Sequence, residues 1–401
     1  LVPCLCCGIS VFLTTRLNAT PDYFELPPIR YSETASEDAV AELMKSDWTA
    51  PSGEPKAFLR ALLHQLGISE ESQVLVFSKT SLQTGLITQK NPRAIYFSPD
   101  AYVGWIPGGK VEIIIEDEKL GPVFYIVSPP YGDQKTKFVR ATDSCLVCHA
   151  TSRTESVPGV FIRSVIPDEN AHARLSEGTT LVTDATPLKD RWGGWYVTGS
   201  SDDPHLGNRW SVDESPVEPA RSNLKNLNQQ IDTSKYLTPR SDIVALMVLE
   251  HQCQIHNLLT KAKYGFRRAE HFQKSINPDQ QIGAEGSMTR KSAEQSAQEI
   301  VCALLFENEV ELGGDGVEGS EEFTKVLRTY APMTRTGKSL TDLRLFQRLF
   351  RYKCSYMIYS KAFKSLPPLV KEAVLKRLRE KTGDRKSERV RAVLAETVSG
   401  F

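Results

Sequence analysis

At 401 residues the chain is longer than one ordinary domain and suits two or three. Its 49 Lys and Arg balance 49 Asp and Glu, so the total charge makes no electrostatic case for nucleic acid or an acidic partner. Hydrophobic residues make up 40%, enough for real cores, and no internal apolar run is long enough to span a membrane.

The N-terminal LVPCLCCGISVFLTT is apolar over about thirteen residues and gives way to polar RLNATPD. That is the length of a signal-peptide apolar region, so residues 1–15 are expected to be the remnant of an export signal. A lipidated cysteine among Cys4, Cys6 and Cys7, or a buried N-terminal strand, are the alternatives. Residues 16–220 are expected to form a mixed helix and sheet domain. SEDAVAELMKSDWTA and EPKAFLRALLHQLG carry apolar residues at helical spacing, and His64 in the second is a packing or surface histidine. From 73 to 166 the pattern changes to short runs: QVLVFS, RAIYFS, AYVGWI, KVEIIIE, PVFYIVS and VFIRSVI. Pro, Gly, Asp and Asn turns separate them, which predicts an antiparallel sheet.

Between the fifth and sixth runs stands Cys145-Leu-Val-Cys148-His149. Two thiols two residues apart, followed by an imidazole, are the attachment signature of a c-type haem. The cysteines form thioethers and the histidine is the proximal iron ligand. A structural zinc site would want a second ligand pair, and none stands at a suitable spacing; a Cys145–Cys148 disulfide would leave His149 without a role. One covalent haem c is the expected cofactor, and its maturation outside the bacterial plasma membrane implies a periplasmic or otherwise exported protein.

RWGGWYVTG (191–199) joins large rings to adjacent glycines. It reads either as a buried strand pair with Trp192, Trp195 and Tyr196 in the core, or as an aromatic wall along the haem with Arg191 pairing a propionate. Residues 221–235 lie in a polar stretch expected to be a linker, and 236–401 are expected to be helical. PRSDIVALMVLEHQCQIHNLLTKAKYGFRRAEHF predicts one long amphipathic helix capped at Ser241 or Asp242, with His251 on the apolar stripe and His256 turned away. Helices are also predicted over EGSMTRKSAEQSAQEIVCALLFE, SLTDLRLFQRLFRYKCSYMIYSKAF and PLVKEAVLKRLREKT. ELGGDGVEGSEEF is expected to be a loop, and the alternating charges of KRLREKTGDRKSERVR a solvated face. The fold class is thus α+β, a β-rich haem-bearing half followed by an all-α half.

The strings FSKTSLQ, PRAIYFSPDAYVGWIPGG, CLVCH, RWGGWYVTG, HLGN, ALMVLEHQCQIHN and LRLFQRLFRYKCSYMIYSKAF resemble, in this order, a family of exported bacterial cytochrome c-domain proteins. The likeness covers roughly residues 75 to 400 and implies haem binding without a defined activity. The family carries Met after the histidine of HLGN; Leu206 stands there, so iron ligation at that position is closed to this chain. KFVRATDSCLVCHATSRTESVPGVFIRSVIP is also similar, over a shorter span, to haem-binding sensory domains of PAS-like fold.

Two strong axial ligands make an electron carrier, whereas an open position permits ligand chemistry. His251 is either the second ligand or a hydrogen-bonded core histidine; as ligand candidates it leads, followed by His205, then His172, with Met247 one turn before His251. The expected role is electron transfer to a redox partner protein. Redox or gas sensing, and an oxidoreductase with an open distal site, are the alternatives.

Overall fold

The computed structural model describes residues 22–51, 53–130, 136–212 and 215–401, so the export-signal reading of residues 1–15 lies outside the described residues. The molecule is α+β, with antiparallel sheets concentrated in the N-terminal half and helices in the C-terminal half.

The predicted strand runs form β1 (Val74–Val76), β2 (Arg93–Ser98), β3 (Ala101–Trp105), β4 (Val111–Asp117) and β5 (Gly121–Ser128). They are followed by β6 (Lys137–Arg140), β7 (Ile162–Ser164), β8 (Thr180–Val182) and β9 (Trp195–Tyr196). The first six make an uninterrupted antiparallel meander, and β9 joins the free edge of β1, giving the order β6-β5-β4-β3-β2-β1-β9. β7 pairs with β8 in a small separate sheet. Successive residues along these strands point to opposite faces of the main sheet, and most of both faces is covered. One face, with Leu75, Ala94, Tyr96, Val103 and Trp105, packs under α1 (Ala39–Lys45) and α2 (Pro55–Gln65) through Val40, Phe58, Leu59 and Leu62. The other face receives the long helix described next.

A single turn, α3 (Leu146–His149), precedes α4 (Ile243–Ile276). Asp242 caps α4 by accepting from Ala245 N at 2.9 Å, and its other oxygen accepts from Ser320 N. The helix was expected to be amphipathic, but residues 243–253 are buried on every side. His256, expected to turn away, is 1% exposed. The reason is that α4 lies between the sheet and the remaining C-terminal elements, so it has no solvent face for its first three turns. Polar residues fasten it to the sheet. Gln252 Nε2 donates to Ser98 O at 2.6 Å, Lys263 Nζ meets Glu116 at 3.2 Å, and Tyr264 OH donates to Leu120 O at 2.6 Å.

Three C-terminal expectations need correction. Residues 221–235 do not form a bare connection: β11 (Ala220–Leu224) pairs with β10 (Gly199–His205), and Leu227 and Ile231 are buried beside Tyr236. Widely spaced apolar anchors in a polar context hid this packing. The glycine-rich loop contributes β12 (Val317–Glu318) to β10, so the second sheet draws on both halves. The stretch 339–363 is not a long helix, and the C-terminal half is therefore not all-α. It forms a hairpin, β13 (Leu343–Phe346) and β14 (Arg348–Phe350), then a 3-10 turn at Tyr356–Tyr359. Leu345 and Gln347 adopt positive φ of 57° and 65°, which no continuous helix allows. The other C-terminal helices are α5 (Met288–Leu304), α6 (Glu321–Leu327), α7 (Lys361–Lys364), α8 (Pro368–Lys381) and α9 (Glu388–Thr397).

Asp242→Ala removes the α4 cap and strands Ser320 N–H. Chemical denaturation should show a loss of about 1–2 kcal/mol, most of it recovered in Asp242→Asn, which retains an accepting oxygen.

Candidate functional site: the Cys145–His149 turn

β6 runs into the motif, and α3 places Cys145 at its N-terminal boundary and His149 at its end. Both thiols are free; Cys148 is exposed and Cys145 half-buried. Burial, followed by the charge of Glu112, raises the Cys145 thiol above its usual value.

His149 is held from two directions. Its ring lies between Phe124 (5.2 Å between centroids) and Phe161 (5.1 Å). The chain then folds back through a Pro158–Gly159 turn, and both polar groups of Gly159 meet His149: Gly159 N donates to His149 O at 2.8 Å, and Gly159 O lies 2.9 Å from Nδ1. Burial depresses the imidazole pKa, so the ring is neutral at neutral pH. A neutral ring facing a carbonyl must carry its proton on Nδ1, which leaves the Nε2 lone pair available.

A side chain from α4 fixes this turn. Asn257 Oδ1 accepts from Val160 N at 2.9 Å, and Asn257 Nδ2 donates to Val160 O at 2.7 Å. A Cβ on Gly159 would lie 2.3 Å from Asn257 Oδ1, so glycine is required there by close approach. Asn257 was not singled out by sequence reasoning. A polar amide inside the buried run of α4 is the signal that could have found it.

The sheet face beside His149 is incompletely covered. The register aligns Ile95 with Gly104, Gly104 with Glu112, Ile114 with Phe124, Glu112 with Ile126, and Ile126 with Val139. Ile95, Ile114 and Ile126 are half-buried and Val139 is 46% exposed, forming an apolar shelf. Arg93 crosses this face to pair with Glu112, passing over Gly104, where any side chain would collide with the guanidinium. Arg93 Nε is buried without a partner, and the Arg93 charge reaches both Cys145 and His149.

The other expected site residues lie elsewhere. Arg191 is 3% exposed and fully engaged: NH1 donates to Glu250 at 2.8 Å, Nε to Thr186 O at 2.8 Å and NH2 to Asp184 O at 3.2 Å. Trp192 Nε1 also donates to Glu250, and Trp195 Nε1 to Arg163 O at 2.8 Å. This is the buried-core reading of RWGGWYVTG; the propionate-pairing role for Arg191 gives way because its donors are already committed. Burial raises the Glu250 carboxyl to about 7 against the opposing pull of Arg191.

His251 has both ring nitrogens occupied, Nδ1 by Asp184 at 2.7 Å and Nε2 by Ser355 Oγ at 2.6 Å, and it stacks on Phe306 at 4.2 Å. An axial bond would require breaking one of these. The order Asp–His–Ser is that of a hydrolase relay, but Ser355 is fully buried and its oxygen accepts from Met357 N, so the trio serves packing. His205 Nδ1 accepts from Gly207 N at 3.0 Å, and burial lowers its pKa to about 4. The neutral ring then carries its proton on Nε2, the wrong tautomer for a ligand at that atom. His172 is largely exposed near Lys79 and Asp168, and Met247 is buried in α4. Among the described residues no three His, Cys, Asp or Glu side chains converge as a metal cage.

Two measurements test this geometry. Asn257→Ala leaves buried Val160 N–H and C=O unpaired and should cost about 2–5 kcal/mol in denaturant unfolding. His256, bonded to Tyr102 OH at 2.6 Å, has its pKa lowered by burial from 6.5 to about 3. The unfolded ring takes up a proton below 6.5 while the folded ring does not, so its stabilisation is present above 6.5 and lost as pH falls toward 3. The stability difference between the wild type and His256→Gln should therefore shrink by about 1.4 kcal/mol per pH unit in that window; a pH-independent difference would contradict the buried neutral ring. Comparison of the chain with known protein families, characterised proteins and solved structures finds no match.

Proposed function

We propose that the chain is an exported monohaem c-type cytochrome that passes single electrons to or from a partner protein. The observation that carries the reading is His149: a neutral imidazole whose Nδ1–H donates to Gly159 O, next to Val160, which Asn257 anchors, with Nε2 left as a lone pair. Metal-bound histidines in general are oriented in this way by a carbonyl on the second ring nitrogen. Cys145 and Cys148 would hold the haem through thioethers, and His149 would be the proximal ligand. Arg93, with its unpartnered Nε and its charge felt at both Cys145 and His149, takes the propionate role that Arg191 cannot fill. The half-covered shelf of Ile95, Ile114, Ile126 and Val139 supplies apolar surface for a flat ring. A bound haem would supply a one-electron couple, tuned by its second ligand and its exposure to water.

The likeness to PAS-like haem sensors supports a second reading, in which the iron keeps an open position for a diatomic ligand. One preparation separates the two. After production with a haem-ligation system, acidified organic solvent should leave the colour with the protein, and His149→Ala should retain the haem with an altered ferric spectrum. Carbon monoxide should leave the reduced spectrum of an electron carrier unchanged, and a shifted band would favour sensing. Release of the haem into the solvent would overturn the covalent assignment.

A further inference from the structure

A second site lies far along the chain from the haem motif. The β13–β14 hairpin and the segment joining α8 to α9 enclose a cleft of about 750 Å³. From the hairpin and the residues after it come Arg344, Arg348, Arg351 and Lys353; from the other wall come Lys381, Lys386 and Arg389. The one acidic residue lining it, Glu307, is already paired with Lys381 at 3.0 Å. In a chain whose charges balance overall, this is a strong local segregation of sign.

Three features say that these cations are not arranged for stability. Among the described residues, the side chains of Arg351, Lys353, Lys386 and Arg389 make no hydrogen bond or ion pair, and all four are exposed. Lys386 precedes α9 and Arg389 lies in its first turn after Glu388, where the helix amides already carry partial positive charge. Arg348 has a buried Nε without a partner. Like charges crowded into a concave wall repel one another, and the low-dielectric sides focus their field on whatever enters.

We propose that this cleft binds a compact phosphate compound carrying several negative charges. The volume falls in the range of small-molecule sites, about 300–1,000 Å³, and a cleft of this kind differs from the broad face that a protein partner needs. The guanidiniums of Arg351 and Arg389 offer planar forks that match phosphate oxygens two at a time, whereas Arg344 and Arg348 already donate to Phe346 O, Gln347 and Arg351 O and add their charge. Leu305, Leu343 and Val390 add apolar surface to the lining.

Calorimetric titration of the full chain with sodium tripolyphosphate, at fixed ionic strength in chloride, tests this. One equivalent should bind, orthophosphate should bind far more weakly, and the Arg351→Ala/Arg389→Ala double variant should bind at least about tenfold more weakly. Lys353→Ala/Lys386→Ala, at exposed positions, provides a second variant should the first fail to fold. Absence of binding, affinity unchanged in both variants, or equal displacement by sulfate at the same ionic strength would overturn the proposal. A change confined to the haem motif, such as His149→Ala, should leave the titration unaltered.

Discussion

The amide of Asn257, bonded to both backbone groups of Val160, is the contact on which the arrangement of the site depends. It ties the longest helix of the C-terminal half to the turn that holds His149. Besides that tie, the 149–160 segment has its own hydrogen bonds, such as Gly159 N to His149 O and Thr154 Oγ1 donating to Val157 O at 2.8 Å, and one exposed ion pair to α4, Glu155 with Lys261 at 2.9 Å. A backbone carbonyl can set a ring tautomer only if the carbonyl itself is stationary. The helical half therefore contributes to the motif by holding the Gly159 turn in place, while His251 is bonded to Asp184 and Ser355.

The same helix explains why so much polar chemistry is buried. Along α4 the sequence places Glu250, His251, Gln252, His256, Asn257, Thr260 and Lys263 in surroundings nearly closed to water. Each polar side chain in such a place costs free energy unless paired. Glu250 meets Arg191 and Trp192, His251 meets Asp184 and Ser355, and Lys263 meets Glu116. Pairs of this kind add little net stability compared with apolar packing, but a helix slid by one turn would strand all of them at once. Their value lies in register: they fix which turn of α4 stands opposite which strand, and so where Asn257 falls.

Much of the sheet was legible from the sequence because alternation and turn residues are local signals. The runs from QVLVFS to PVFYIVS became β1 to β5, and the cap at Asp242 was visible in SDIVAL. The C-terminal hairpin was not legible. LRLFQRLF has apolar residues at spacings that suit a helix, and only the tertiary pairing of Leu343 with Phe350, with positive φ between, selects strands. At the site, CLVCH stood out from spacing alone, whereas Arg93 could not, since its proximity to Cys145 depends on how β2, β3 and β4 align. The partners of His251 were hidden for a similar reason: an apolar stripe places a histidine in the interior without revealing that Asp184 and Ser355, distant in sequence, meet it there.

Covalent haem attachment at residues 145–149 is tested most directly by peptide mass spectrometry of protein made with a haem-ligation system. The proteolytic fragment containing Cys145 and Cys148 should survive denaturation with the mass of one haem bound through both thiols, and Cys145→Ala/Cys148→Ala should yield the bare peptide. Recovery of the wild-type fragment as free dithiol or internal disulfide, under conditions where a control cytochrome is fully matured, would contradict it.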